Sequence, residues 1–103
     1  MAEITEKRFQ DRVMKKLRTL RGTWWFKVQG AVGGVPDVIG CVRGVFIALE
    51  LKRSPRAKMT KLQEYTHDTI RGTAEGVVYV VHPDNWEEVF EEIKLISRAR
   101  KWR

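Results

Sequence analysis

The chain has 103 residues, of which 20 are Lys or Arg and 13 are Asp or Glu, giving a formal net charge of +7. This length suits one domain with a single core, which we expect to span residues 1–103, with a basic tail over about 97–103. The excess of cations favours a polyanionic partner, nucleic acid before membrane. No apolar run approaches the ~20 residues of a membrane span, and the single cysteine excludes an internal disulfide and favours a reducing cytoplasm.

The first half of the chain predicts one helix followed by three strands. Phe9, Val13 and Leu17 recur at helical spacing, which predicts a helix over about 5–21 with Thr5 as its N-cap. The segments 24–29, 34–40 and 46–53 are rich in apolar and β-branched residues and predict strands. Between the second and third strands, Arg43-Gly44 predicts a two-residue hairpin turn.

The second half predicts a helix, a strand and a helix. Thr60 and Gln63 have the spacing of a capping box, so we expect a helix from there to about 71, ended by Gly72. The apolar run over 76–82 predicts a strand buried on both faces, and an apolar stripe from Trp86 to Ile96 predicts the last helix. The order α-β-β-β-α-β-α predicts an α/β fold with a mixed central sheet and helices on both faces.

Charged residues interrupt two of the predicted strands. A charge buried in a sheet costs several kcal/mol unless it is paired or binds a metal. A tight turn at Arg43-Gly44 places Asp37 directly opposite Glu50, and Lys52 lies two residues farther along the same face. A shift of the register by one residue would separate Asp37 from Glu50. The sequence therefore predicts two carboxylates and an ammonium group at the open end of a hairpin.

Two neighbouring carboxylates repel each other unless a positive charge lies between them. Mg²⁺ is the natural candidate because it prefers oxygen ligands and keeps several waters, one of which can act as a nucleophile. Lys52 would orient that water or neutralise charge on a phosphate. The alternative is a cluster of cross-strand ion pairs that carries no chemistry.

These motifs resemble the PD-(D/E)XK nuclease superfamily, and within it the small stand-alone VRR-NUC domains often encoded by phages. The signature comprises Gly34-x-Pro36-Asp37, Glu50-Leu51-Lys52 and Lys58-x-Thr60-x-x-Gln63. The likeness extends from about residue 6 to 86. A small departure is that Glu50-Leu-Lys-Arg stands where the family name indicates Val-Arg-Arg.

The resemblance implies a restriction-endonuclease-like core and an Mg²⁺- or Mn²⁺-dependent endonuclease that hydrolyses DNA phosphodiester bonds. It implies that Asp37, Glu50 and the Leu51 carbonyl are metal ligands and that Lys52 is the catalytic lysine. Gln63 and Glu6 match two further site residues of the superfamily, Glu6 helping to organise the metal, with Glu3 as its rival. Gln63 could serve only as a helix cap, and Glu6 could be only a first-turn acid.

Stand-alone members imply a homodimer with a structure-selective, Holliday-junction-resolvase-like activity, working in the host cytoplasm if the chain is phage-encoded. The interface could use Trp24, Trp25 and the last helix, or these could belong to the core. Cations beside the proposed site would bind DNA phosphates, namely Arg53, Arg56, Lys58 and Lys61.

Two other functions stay open: a non-catalytic DNA-binding module on a nuclease fold, and a sequence-specific restriction-type endonuclease. His67 lies one turn after Gln63 and could face the cleft, but we expect it at the surface, and His82 likewise. We expect Cys41 as a small packed side chain on the Asp37 face.

Overall fold

The computed structural model describes residues 5–29 and 33–99. The elements appear in the predicted order, α-β-β-β-α-β-α. They are α1 (Glu6–Leu17), β1 (Thr23–Lys27), β2 (Val38–Val42), β3 (Val45–Leu51), α2 (Lys61–Arg71), β4 (Val77–Val81) and α3 (Trp86–Ala99). No helix in these two ranges is both long and apolar enough to cross a bilayer.

The strands form one mixed sheet in the order β1-β2-β3-β4. The two pairs β1–β2 and β2–β3 are antiparallel, whereas β3 and β4 are parallel and are connected through α2. A parallel pair needs such a crossover, because a tight turn cannot return the chain to the same end of the sheet. The predicted mixed α/β sheet is therefore confirmed.

The turn between β2 and β3 sets the register of the hairpin. Arg43 and Gly44 have φ values of 46° and 90°, and positive φ at both central residues is typical of the tight turns that match strand twist. The predicted register is confirmed outward to the pair of Val38 with Leu49. Each face of the hairpin consequently carries the residues that the sequence pattern assigned to it.

Helices α1 and α3 cover one face of the sheet and form the apolar core with it. The core side chains from these helices and the facing strands include Phe9, Val13, Leu17, Trp25, Val38, Val42, Ile47, Leu49, Val81, Val89 and Ile93. The backbone of Gly40 lies directly under the Trp25 ring, where a Cβ would collide with ring carbons.

Helix α2 covers the opposite face only over β3 and β4. His67 contacts Glu50 of β3, and the Arg71 guanidinium donates to the Val78 carbonyl of β4 at 3.0 Å. The helix begins at the predicted capping box, in which Thr60 Oγ1 accepts the Gln63 N–H. Within residues 5–29 and 33–99, no helix covers Trp24, Phe26 and Cys41 on the β1–β2 half of this face, and all three are exposed.

Three expectations about element limits and burial were wrong. Helix α1 ends at Leu17 rather than near 21. Strand β4 is an edge strand paired only with β3; Val78 and Val81 are buried, but its other three side chains are half-buried rather than buried. Cys41 is exposed rather than packed, since α2 does not reach it. Glu3 and the tail from Arg100 onward lie outside the described residues.

Candidate active site

The predicted site residues meet at the open end of the β2–β3 hairpin. They line a cavity of about 230 Å³ whose walls comprise Glu6, Asp37, Glu50, Leu51, Lys52, Arg53, Ala57 and Gln63. This set contains every residue assigned to catalysis or metal binding from the sequence. Of the four proposed DNA-binding cations, only Arg53 lines the cavity.

Asp37 lies immediately before β2 and is half-buried. Its Oδ2 accepts the backbone N–H of Leu51 at 2.7 Å, and its own carbonyl accepts the N–H of Val28 at 2.8 Å. These bonds tie Asp37 to both neighbouring strands, so its carboxylate is fixed beside Glu50 before any ligand binds.

The Glu50 side chain extends from β3 toward α2 and is only 2% exposed. Its Oε1 is 3.2 Å from Nε2 of His67, which is itself fully buried. The expectation that His67 lies at the surface was therefore wrong. The signal was the four-residue spacing from Gln63 to His67, which places both on one face of α2 and hence both toward the sheet.

The tautomer of His67 follows from the surroundings of its second nitrogen. Nδ1 is buried and has no hydrogen-bond partner among the described residues. A buried N–H without an acceptor is costly, so the proton belongs on Nε2, which donates to Glu50. This bond fixes one oxygen of the Glu50 carboxyl group.

The charge state of this pair depends on its burial. Burial raises the pKa of Glu50 to about 8, and Asp37 adds to the rise by hydrogen bonding to the protonated form and repelling the ionised one, while Lys52 opposes it. Burial also lowers the pKa of His67, and Arg71 and Lys52 lower it further. At neutral pH both partners are thus neutral, and a cation between Asp37 and Glu50 would displace the Glu50 proton.

Lys52 is held by the start of α2. Its Nζ donates to Gln63 Oε1 at 3.0 Å and approaches the Lys58 carbonyl at 3.5 Å. The same Gln63 oxygen accepts the N–H of Thr60 at 2.9 Å. Gln63 therefore has both of the roles considered from the sequence, because one oxygen caps the helix and orients the ammonium group.

Glu6 is the first residue of α1; it is exposed and lines the cavity. The described ranges contain no group of three His, Cys, Asp or Glu residues close enough to hold a metal ion. The carboxylates available side by side are Asp37 and Glu50. Mg²⁺ is commonly held by one or two carboxylates with waters completing its shell, so this pair fits it.

The remaining predicted DNA contacts lie in the segment that connects Lys52 to α2 and in the first turn of α2. Arg56 and Lys58 are exposed in the segment between β3 and α2, and Lys61 is exposed in the first turn of α2. None of the three has an ion-pair partner among the residues that the structure describes. We call Arg56, Lys58 and Lys61 the cationic rim; they follow Lys52 along the chain, and the Lys52 ammonium approaches the Lys58 carbonyl.

No protein-family model and no curated protein matches this chain. A solved structure described as a "VRR_NUC domain" does match, with a TM-score of 0.69 and 24% sequence identity. The chain has the fold of a VRR_NUC domain. The matched region covers 84% of this chain and 94% of that one, so the likeness extends over nearly the whole of both folds. The fold that the motif resemblance implied is confirmed.

Proposed function

We propose that this chain is a divalent-metal-dependent endonuclease that hydrolyses phosphodiester bonds in DNA. The observation that carries the proposal is the pairing of Asp37 with buried Glu50 beside Lys52, inside a cavity rimmed by cations. A buried carboxyl group with a pKa near 8 next to a second carboxylate is poorly explained by stability, because an apolar residue would pack there at lower cost.

The donor set supports Mg²⁺ or Mn²⁺ as the cofactor. Asp37 and Glu50 would hold the ion with the Leu51 carbonyl, and Glu6 would contact it directly or through water. A bound ion would supply Lewis-acid activation of the phosphate and a coordinated water of lowered pKa. The His67 N–H and the Leu51 N–H each fix one carboxylate oxygen, so the remaining oxygen of each group would be available to hold an ion.

Lys52 would act on the phosphate or on the attacking water. Its ammonium group is positioned by the Gln63 oxygen, and in a water-poor cavity a fixed positive charge stabilises the negative charge that develops on a phosphoryl group. Arg53 would bind the adjacent phosphate from the cavity wall. Arg56, Lys58 and Lys61 would hold the backbone on either side and make the affinity depend on salt.

We further propose that the enzyme selects DNA by structure, with branched substrates such as four-way junctions preferred, and that it works as a homodimer. The described residues present one carboxylate-pair cavity per chain, so the paired cuts that a junction requires need two chains. No separate recognition helix or finger is present among the seven elements, which disfavours a restriction-type enzyme.

The test is cleavage of a labelled panel of single strand, duplex, flap, splayed arm and four-way junction, in Mg²⁺, Mn²⁺ or EDTA. We expect metal-dependent cutting that Asp37→Ala and Lys52→Met reduce at least 100-fold, since each removes a group that acts on the metal or the phosphate. Asp11→Ala is the matched control, because this exposed aspartate of α1 does not line the cavity.

Cutting by Asp37→Ala at the wild-type rate would refute the assignment of the site. Binding of these substrates without cleavage in any metal would instead support the non-catalytic DNA-binding module. Light scattering of the purified chain, alone and with a junction, tests the dimer separately.

A further inference from the structure

The open half of the α2-facing side of the sheet carries exposed aromatic side chains. Trp24 is 59% exposed and Phe26 is 47% exposed, and their rings are parallel within 6° with centroids 6.0 Å apart. Phe46 and Cys41 are exposed in the same row as Trp24. An apolar patch of this kind on a charged protein marks a binding surface.

These two rings are held on a rigid support. Strand β1 alternates, so Trp24 and Phe26 point away from the core while Trp25 between them is buried against Gly40. Pairing with β2 fixes the backbone of both residues, opposite Cys41 and Ile39. A flat surface that is ordered before binding loses little conformational entropy when a ligand stacks on it.

The aromatic surface is continuous with the candidate active site. Phe26 is in the row of Ile39, and the next row along the same face contains Asp37, whose carbonyl accepts the N–H of Val28. Two residues of strand span roughly 7 Å. Phe26 is thus one row, and Trp24 two rows, from the carboxylates that would hold the metal.

We propose that Trp24 and Phe26 form a stacking surface for unpaired bases of the strand whose phosphate lies at the carboxylate site. This inference rests on the proposed function and names the feature of DNA that the enzyme selects. Sheets that bind single-stranded nucleic acid commonly do so by stacking bases on exposed aromatic side chains, without reading their sequence.

Charge decides between a nucleic acid and a second copy of the chain as the occupant of this face. The chain carries a net charge of +7, and Lys52 at the cavity lies on the same face of the sheet as the aromatic rings. Two copies joined through this face would bring like charges together, which opposes association. A single strand offers the complementary combination of anionic phosphates and flat apolar bases.

A consequence for substrate choice follows from base pairing. An intact duplex keeps its base faces stacked within the helix, so it cannot use the rings. Flaps, splayed arms and junctions with frayed centres have unpaired bases beside the phosphate to be cut. The stacking surface therefore favours substrates with a single-stranded segment over continuous duplex.

The experiment measures fluorescence anisotropy of a labelled mixed-sequence single strand and of an abasic strand of equal length, in EDTA so that nothing is cut. We expect Trp24→Ala and Phe26→Ala each to weaken binding of the normal strand about tenfold, while Trp24→Phe and Phe26→Tyr keep it. The abasic strand should bind wild type and both alanine variants equally. Leu95→Ala is the control, an exposed apolar residue on α3.

Equal losses with normal and abasic strands, or no loss with either, would overturn the inference. Loss of a solution dimer in Trp24→Ala, with base-dependent affinity unchanged, would assign the face to a second copy instead. Cleavage assays of the same proteins separate the two claims. Base-dependent binding without metal-dependent cleavage would refute only the proposed function, whereas cleavage with unchanged affinity in the alanine variants would refute only the stacking surface.

Discussion

The two faces of the central sheet differ in what they bury. Under α1 and α3, the strands present a continuous apolar layer with no charged side chain in the core cluster. Under α2, the same strands present Glu50 against His67 and, beyond the end of the helix cover, exposed Trp24 and Phe26. One face therefore supplies stability, and the other carries groups that a stable fold would not need.

Strand β3 carries apolar core residues on one face and the buried acid of the candidate site on the other. Ile47 and Leu49 contribute to the apolar core, and each large aliphatic side chain buried in this way contributes roughly 1.5–3 kcal/mol. Ala48 and Glu50 point to α2 and are equally buried. The gain on one face offsets the desolvation of the Glu50 carboxyl group on the other, which is how a buried acid persists in a small domain.

The largest effect should come from disturbing the apolar face at Gly40. In Gly40→Ala the new methyl group would overlap the Trp25 ring and lie 2.5 Å from the Trp24 carbonyl oxygen. We expect the free energy of unfolding to fall by about 3 kcal/mol, the upper part of the usual range for overpacking. Urea denaturation followed by circular dichroism measures it.

Gly33→Ala is the matched control, because its added methyl would meet only the end of the exposed Leu62 side chain, at 3.3 Å. If Gly40→Ala were as stable as Gly33→Ala, the close approach of β2 to Trp25 would be contradicted, and with it the division of roles between the two faces.

The free energy of unfolding should depend on pH through Glu50 on the α2 face. Its pKa rises from 4.5 to about 8 on folding, so the folded state binds more protons over this range and the free energy of unfolding decreases as pH rises. The lowered pKa of His67 acts in the opposite direction, but only below its ordinary value of 6.5. Between pH 6.5 and 8, Glu50 alone should therefore cost about 2 kcal/mol of stability.

Thermal or urea unfolding in EDTA across this pH window tests the prediction. Glu50→Gln should remove the slope, because the amide does not titrate and can still accept the His67 N–H. Added Mn²⁺ should also reduce the slope, since metal binding favours the ionised carboxylate. A wild-type slope identical to that of Glu50→Gln would show that Glu50 is ionised in the folded protein without metal.

The sequence allowed the hairpin and the carboxylate pair to be predicted because local chemistry determines them. Arg43-Gly44 fixes the turn, the turn fixes the register, and the register brings Asp37 and Glu50 together. The capping box likewise places Gln63 at the start of α2. These relations involve residues close in sequence, so little else in the fold can change them.

The extent of the α2 cover could not be predicted, because it depends on where a helix settles on a sheet. That placement buries His67, leaves Cys41 exposed and makes the aromatic pair of β1 accessible. The edge position of β4 could not be predicted for a similar reason. A crossover helix, unlike a tight turn, does not determine which strand its parallel strand pairs with. Helical periodicity identifies the sheet-facing side of α2 but not the strands under it.

The smallest predicted effect concerns His67. A substitution there should change metal affinity on the α2 face and leave the packing of the opposite face intact. In His67→Leu the buried volume stays apolar and filled, but Glu50 loses the donor that fixes its Oε1. We expect Mn²⁺ affinity to fall about tenfold, as is usual when a metal ligand loses its hydrogen-bond partner. Isothermal titration calorimetry of the purified variants measures it.

His67→Gln provides the control, because its amide can donate to Glu50 from a similar position and should restore most of the affinity. Unfolding measured in parallel should show less loss for His67→Leu than for Gly40→Ala, since leucine preserves packing under α2. If both His67 variants bound Mn²⁺ like the wild type, His67 would be a packing residue, and the α2 face would owe its metal preference to Asp37 and Glu50 alone. If only His67→Leu lost affinity, the buried histidine would be a positioning residue for the carboxylate, and the burial that costs stability on this face would have a measurable function.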